Sequence, residues 1–233
     1  MEDAGNVEPD LTTSREQDAV RLLLLIDGAC ETVASAELEG VGLPTAIGVV
    51  RSQVRLQKLD FWLRNPDYLA NELLNDYAET GDDDFLETAA QILDSDEPEV
   101  RRYPMLRHHF GAYEPLEDAL AVLRYGGLVA QRRRGTISRI RQHDYYLLAK
   151  GREVAEQIIG EAPVFSYYID RVRLVLQLAD NGTGSQLKDR QYKQPEYAEA
   201  VRGSRISSVR ERARSRLAEY RAIQAEKVRG DDA

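Results

Sequence analysis

The sequence predicts a mainly α protein with one small β element: a helical N-terminal half, a segment with one β-hairpin, and a long C-terminal helix. Three observations predict it. Apolar residues recur at three- and four-residue spacing through most of the chain. Two strand-like runs, residues 128–134 and 137–147, flank Gly135-Thr136, which can make a tight turn. Toward the end, Ile206, Val209, Ala213, Leu217 and Tyr220 form an apolar seam through an arginine-rich stretch.

Taken in order, residues 1–14 are polar, carry Gly5 and Pro9, and read as a flexible leader. Thr13 and Glu16 fit a capping box, and a first helix is expected over residues 19–38. Its stretch 22–26 is apolar nearly all round, the mark of a buried helix. Gly40, Gly42 and Pro44 end it. A second helix is expected over residues 45–64: Val50, Val54, Gln57 and Phe61 make one stripe, widened by Val49, Leu56, Leu59 and Leu63. Trp62, between two apolar positions, is expected in the core, and Asn65-Pro66 stops the helix. Asp67 is placed to cap a third helix with Leu69, Leu73, Leu74 and Tyr77 inward. Asp82, Asp83 and Asp84 precede a short helix through Leu93, where its positive end favours them.

A short helix is expected over residues 104–110. Glu114-Pro115 opens another, with Leu116, Ala119, Leu120 and Leu123 at helical spacing and Gly126-Gly127 closing it. After the two strands come helices over 150–159 and 164–179. Phe165, Tyr168, Val172, Val175 and Ala179 share one face of the latter. Residues 181–185 read as a loop. The arginine-rich helix follows over 204–229. The chain thus divides into a leader (1–14), an acidic helical region (15–100), a hairpin-bearing region with its following helix (101–180), and a loop with a basic helix (181–233).

Charge is split along this division. The 233 residues carry 40 acidic and 31 basic side chains, a net −9. Residues 1–100 hold 23 acidic and 6 basic groups, a balance of −17, and residues 101–233 hold 17 and 25, a balance of +8. Such asymmetry suggests two surfaces with different partners and argues against a protein that coats DNA uniformly. Composition, 42% apolar and 30% charged, suits a globular protein. One cysteine, Cys30, excludes a disulfide framework and any multi-cysteine metal site. The beginning Met1-Glu2-Asp3 has no basic n-region, and the run 22–26 is far short of a membrane span, so the expected compartment is the cytoplasm.

Residues 116–159, "LEDALAVLRYGGLVAQRRRGTISRIRQHDYYLLAKGREVAEQII", run helix, Gly-Leu-Val strand, basic turn, strand, helix. This resembles the second half of a winged-helix domain. The resemblance implies that the helix at residues 116–125 is the recognition-like helix and that Arg132-Arg133-Arg134-Gly135-Thr136 is the wing tip. "YYLLAKGREVAEQI", residues 145–158, is similar to the Tyr-x-Leu-Thr-x-x-Gly pattern that closes the wing in MarR- and PadR-like regulators. Leu148 stands where that pattern has a helix-capping threonine. Upstream, "VRLQKLDFWLRNPDYLANELL", residues 54–74 and centred on Leu56, Leu59, Asp60 and Arg64, resembles the middle components of bacterial three-component ABC-ATPase systems. That resemblance implies a small winged-helix subunit acting beside an SMC-like ATPase.

The strongest candidate site is the wing: Arg132, Arg133, Arg134, Arg139 and Arg141 lie within ten residues. Guanidinium groups stay charged and grip phosphates in pairs of hydrogen bonds, and a hairpin can lay them on a DNA backbone. The same arginines suit a docking surface for an acidic partner, or a solvated edge hairpin whose charge blocks edge pairing. A second basic surface is Arg205, Arg210, Arg212, Arg214 and Arg216, on a helix that would serve as a partner helix or simply pack on its own domain. There Glu211, Glu219 and Glu226 are spaced to pair with arginines. Acidic groups at Glu114, Glu117 and Asp118 of the recognition-like helix repel phosphate, which counts against reading bases in the major groove.

Enzymatic chemistry finds little footing. Adjacent His108-His109 lack chelating spacing, and His143-Asp144 has no serine or cysteine motif beside it. Cys30 suits a small core residue in a buried helix. Asn181-Gly182-Thr183-Gly184 lacks the lysine of a phosphate loop, and Asp82 to Asp84 lack calcium-loop spacing. No cofactor, metal, membrane or small-molecule substrate is expected. The sequence therefore predicts a non-enzymatic accessory subunit of a bacterial assembly. The acidic half would hold a protein partner, of which an SMC-like ATPase is the one the resemblance implies, and the basic wing would touch DNA non-specifically. A stand-alone regulator dimerising with itself, and a protein-only structural adaptor, are the alternatives.

Overall fold

The structure, a computed structural model, describes residues 13–95, 107–108, 111–112, 116–136, 139–179, 184–204 and 206–231. It is mainly α-helical, with a small three-stranded antiparallel sheet and a long C-terminal helix. Among the described residues no helix is long and apolar enough to cross a membrane.

Helix α1 (Arg15–Ala29) starts one residue later than a cap at Thr13 would place it. Ser14, not Thr13, is its cap: Ser14 Oγ accepts from Gln17 N at 3.2 Å and Gln17 Oε1 accepts from Ser14 N at 2.8 Å. Thr13 instead donates its hydroxyl to Asp18 at 2.7 Å. Residues 22–26 are fully buried, as their all-round apolar character demands. The predicted helix over 19–38 is in fact two. At Glu31 the backbone is taken by a bridge to Val49, with both N–H···O distances 2.9 Å. The chain leaves α1 at extended Cys30 and resumes as α2 (Ser35–Val41), which closes on Gly42 with φ +64°. Cys30 therefore lies beyond the helix, half-buried, its thiol donating to Asp27 O at 3.2 Å.

The predicted helix over 45–64 also divides. Its first part is strand β1 (Ala46–Val50) and only Gln53–Arg64 is helix, α3. β-Branched Ile47, Val49 and Val50 suit the pleat, and Ser52, at φ +74°, sets the corner between the two elements. Helix α4 (Pro66–Thr80) opens with proline at its first position. Asp67 does not cap it: the carboxylate accepts from Ser208 Oγ at 2.6 Å and Val209 N at 3.0 Å, far along the chain. Helix α5 (Asp83–Asp94) begins as expected, with Asp82 accepting from Asp84 N at 3.1 Å. Where a helix was expected over 104–110, Arg107–His108 (β2) pairs antiparallel with Gly111–Ala112 (β3). Residues 104–106, 109 and 110 lie outside the described residues, as does the leader to residue 12.

Then come α6 (Glu117–Tyr125), β4 (Val129–Thr136), β5 (Arg139–Leu148), α7 (Ala149–Glu161), a short 3-10 turn (Pro163–Phe165) and α8 (Ser166–Ala179). Leu148 precedes α7 without a side-chain cap, as its lack of a hydroxyl implies. Helix α9 (Gly184–Tyr192) takes in Gly184 and Ser185, which were expected in a loop; residues 181–183 are not among those described. A one-turn helix α10 (Pro195–Ala198) follows. Helix α11 (Arg210–Asp231) begins six residues later than the expected start at 204. The intervening backbone is held open by α4, with Tyr68 donating its hydroxyl to Ser207 O at 2.7 Å.

The sheet runs β1-β5-β4, all antiparallel. Alternation along β5 decides its packing. Tyr145 and Leu147, with Val50 and Val129, face the main core of α1, α3, α4, α5, α6, α8 and α11. Tyr146 and Leu148, with Ala46, Val49 and Ala130, face Val33, Leu38 and Leu43 around α2. Trp62 is wholly buried, as predicted, and so are four of the predicted seam residues: Ala213 and Leu217 on α11, and Ile206 and Val209 in the extended segment before it. Gly151 is required where α7 crosses the hairpin root: a Cβ there would stand 2.3 Å from Leu128 O.

Candidate nucleic-acid interface

The hairpin β4–β5 carries the five wing arginines, and the sheet sorts them. On the α2 side, Arg132 donates from Nε to Val41 O at 3.2 Å, at the end of α2. Arg134 reaches the same side, donating from Nε to Asp144 and from its terminal nitrogen to Glu37. Asp144 is fully buried, and its Oδ1 also accepts the Ser52 N–H at 3.2 Å. Glu37 accepts a bidentate pair from Arg51, at 2.9 and 3.0 Å, and the Tyr146 hydroxyl at 2.9 Å. These two arginines therefore fasten α2 and β1 to the base of the wing. Both are thus partly committed to internal partners, although Arg134 remains exposed.

Hydrogen bonds from Arg51 hold the Glu37 carboxyl at a pKa of about 2, opposed by its partial burial and aided by Tyr146 and the Arg134 charge. Its ordinary value is 4.5. A depressed carboxylate stabilises the fold fully above its unfolded pKa and loses that contribution as pH falls through the folded one. The packing of α2 on the sheet should therefore loosen between about pH 4.5 and 2. Hydrogen exchange at the backbone amides of α2 would report it, and Glu37→Gln should flatten that pH dependence. If the wild-type amides show no acid weakening in this window, the fastening is not ionic.

The other three arginines are different. Arg133, Arg139 and Arg141 are exposed, and no hydrogen bond or ion pair among the described residues claims their guanidinium groups. Arg134 pairs with Gln142 and Gly135 with Ile140, so Arg141 is the bulged residue of β5. A bulge twists the strand and re-aims side chains, here at the arginine end of the hairpin. Arg133 lies across from His143, on the face that turns toward α6. Along that face Gln131 Nε2 meets His143 Nδ1 at 3.1 Å, and Arg124 of α6 donates to Gln131 Oε1 at 3.3 Å. Residues 137 and 138 of the tip lie outside the described residues.

Helix α6 is bipolar. Exposed Glu117 and Asp118 occupy its N-terminal end, while Arg124 and Tyr125 sit about 10 Å away at the end beside the wing. Glu114 is not among the described residues.

The second basic surface is largely turned inward. Arg212 makes a bidentate pair with Glu196 of α10, both distances 2.6 Å. Arg214 donates to Leu93 O at 3.0 Å. Arg216 donates to Asn71 Oδ1 at 2.7 Å and Asn75 Oδ1 at 2.9 Å on α4. Arg210 gives its backbone N–H to Ser208 Oγ at 3.2 Å, and Arg205 lies outside the described residues. The pairing expected with Glu211, Glu219 and Glu226 on the same helix gives way, for Arg212, Arg214 and Arg216, to partners on α10, α5 and α4. Past Tyr220 the helix is mostly exposed, touching α5 at Asp94 and Asp83.

Glu37, Asp144 and Tyr146 decide how much of the hairpin is free; Glu37 and Tyr146 were given no role from the sequence, and Asp144 was weighed only beside His143. Asp144 had a signal: a lone acid in a strand that carries arginines, just before Tyr145 and Tyr146. Glu37 had none, lying 97 residues from Arg134. No family model, curated protein or solved structure matches the chain.

Proposed function

We propose that the chain is a non-enzymatic, cytoplasmic winged-helix accessory subunit of a multiprotein assembly, whose wing contacts DNA without reading its sequence. One observation carries the reading: Arg133, Arg139 and Arg141 stand exposed and unclaimed among the described residues at the end of a hairpin whose base is fixed by Arg132 and Arg134. Three exposed guanidinium groups on one hairpin, without partners among the described residues, make a phosphate-binding edge. The order α6, β4, β5, α7 is the one that the winged-helix resemblance implies. The acidic end of α6 opposes major-groove reading and favours contact through the wing alone. The protein partner that the resemblance implies is an SMC-like or ABC-type ATPase, for which the acidic N-terminal half offers a surface of opposite sign to the wing.

The test is duplex binding measured across a salt series. Wild type should bind unrelated sequences alike, with affinity falling steeply as salt rises. Changing Arg133, Arg139 and Arg141 together to Glu should abolish that binding and flatten the salt slope by about 2.7, the loss of three phosphate contacts. Arg134→Ala should leave DNA affinity nearly unchanged and loosen α2. A triple variant that binds as well as wild type would overturn the reading, and a footprint on one near-palindromic site would point instead to a dimeric regulator.

A further inference from the structure

Tyr125 is 97% exposed. Its ring offers a free π face for stacking, which gains meaning from the groups beside it. Its position is set by the helix end: Gly127, at φ +68°, turns the chain away into β4 and leaves Tyr125 outermost. Its neighbours are chemically specific. Arg124 is held to Gln131, Gln131 to His143, and His143 faces Arg133 across the hairpin. One edge of the molecule thus presents a ring, two guanidinium groups, an amide and an imidazole in succession. The acidic residues of α6 lie at its far end.

We infer that this edge binds single-stranded DNA, with Tyr125 stacking on an unpaired base and Arg124 and Arg133 holding the flanking phosphates. The inference rests on the wing reading above and narrows its ligand. A base in a duplex has both π faces occupied by its neighbours, so an exposed tyrosine finds nothing there to stack on. In a single strand every base offers a free face, and stacking on it is indifferent to sequence.

The experiment compares an oligothymidine single strand with a duplex of equal length by fluorescence anisotropy. Wild type should favour the single strand. Tyr125→Ala should weaken single-strand binding about tenfold and leave duplex binding alone, while Tyr125→Phe should retain it. Because Trp62 is wholly buried, Tyr125→Trp adds one exposed indole, whose emission should be quenched by the single strand and not by the duplex. If Tyr125→Ala binds the single strand like wild type, and the indole is not quenched, the inference is overturned while the wing reading stands, provided the triple glutamate variant loses binding. If wild type binds neither form, both fall together.

Discussion

Asp60→Ala is expected to destabilise the protein by about 3–5 kcal/mol, the cost of breaking a buried ion pair from one side. Asp60 is fully buried on α3 and accepts from Arg21 Nε at 2.9 Å and Arg64 Nε at 2.7 Å. Arg21 is itself 1% exposed and also paired with Asp18. Burial by itself would raise the Asp60 carboxyl, but the two guanidinium groups outweigh it and hold it below its ordinary range. Removing the carboxylate leaves two buried cations with one acid between them. Urea unfolding followed by circular dichroism measures the loss. A fall of less than about 1 kcal/mol would mean that water or Asp18 compensates, and that the cluster does not hold α1 against α3. Acid should erode the same contribution, since a depressed carboxylate loses its stabilising effect as pH falls through the folded value.

Phe61→Ala should cost a comparable amount, about 3–5 kcal/mol, by a different route. The Phe61 ring meets Trp62, Tyr68 and Tyr197 edge-on, with centroids 5.2, 5.3 and 5.6 Å apart. All four residues are wholly buried. Truncation removes the buried ring and opens a cavity where α3, α4 and α10 converge, and the edge-to-face contacts go with it. Trp62, the lone tryptophan, adjoins the cavity, so its emission should shift with the same unfolding transition. A loss near 1 kcal/mol would show that the helices collapse onto the gap.

Much of this architecture was legible locally, because helices declare themselves within a few turns. Residues 22–26, Trp62, the aspartates at the start of α5, the Gly126-Gly127 stop and the α11 part of the seam, Ala213 and Leu217, all stand where the pattern put them. The failures share one cause. Ile47, Val49 and Val50 continue a helical stripe into Val54 and Phe61, yet they form a strand, because β5 supplies a partner about a hundred residues later. The bridge from Glu31 to Val49 splits the first helix for the same reason, with no glycine or proline at the break. The site was half legible: a cluster of five arginines is visible in the sequence, but which of them remain available depends on Glu37 and Asp144. That division emerges only when α2 packs on the sheet.

Strand order also has a temporal meaning. β5 is the middle strand, yet it is the last of the three to leave the ribosome. Ala46 waits for Leu148, and Asp67 waits for Val209. Each closure spans a hundred residues or more, so its entropy is spent before any contact repays it. The nascent first half therefore carries an open strand edge and the uncovered side of α4, surfaces that invite premature association. Completion of the fold comes late and in two stages: β5 closes the strand edge, and the segment around Ser207 to Val209 afterwards covers α4.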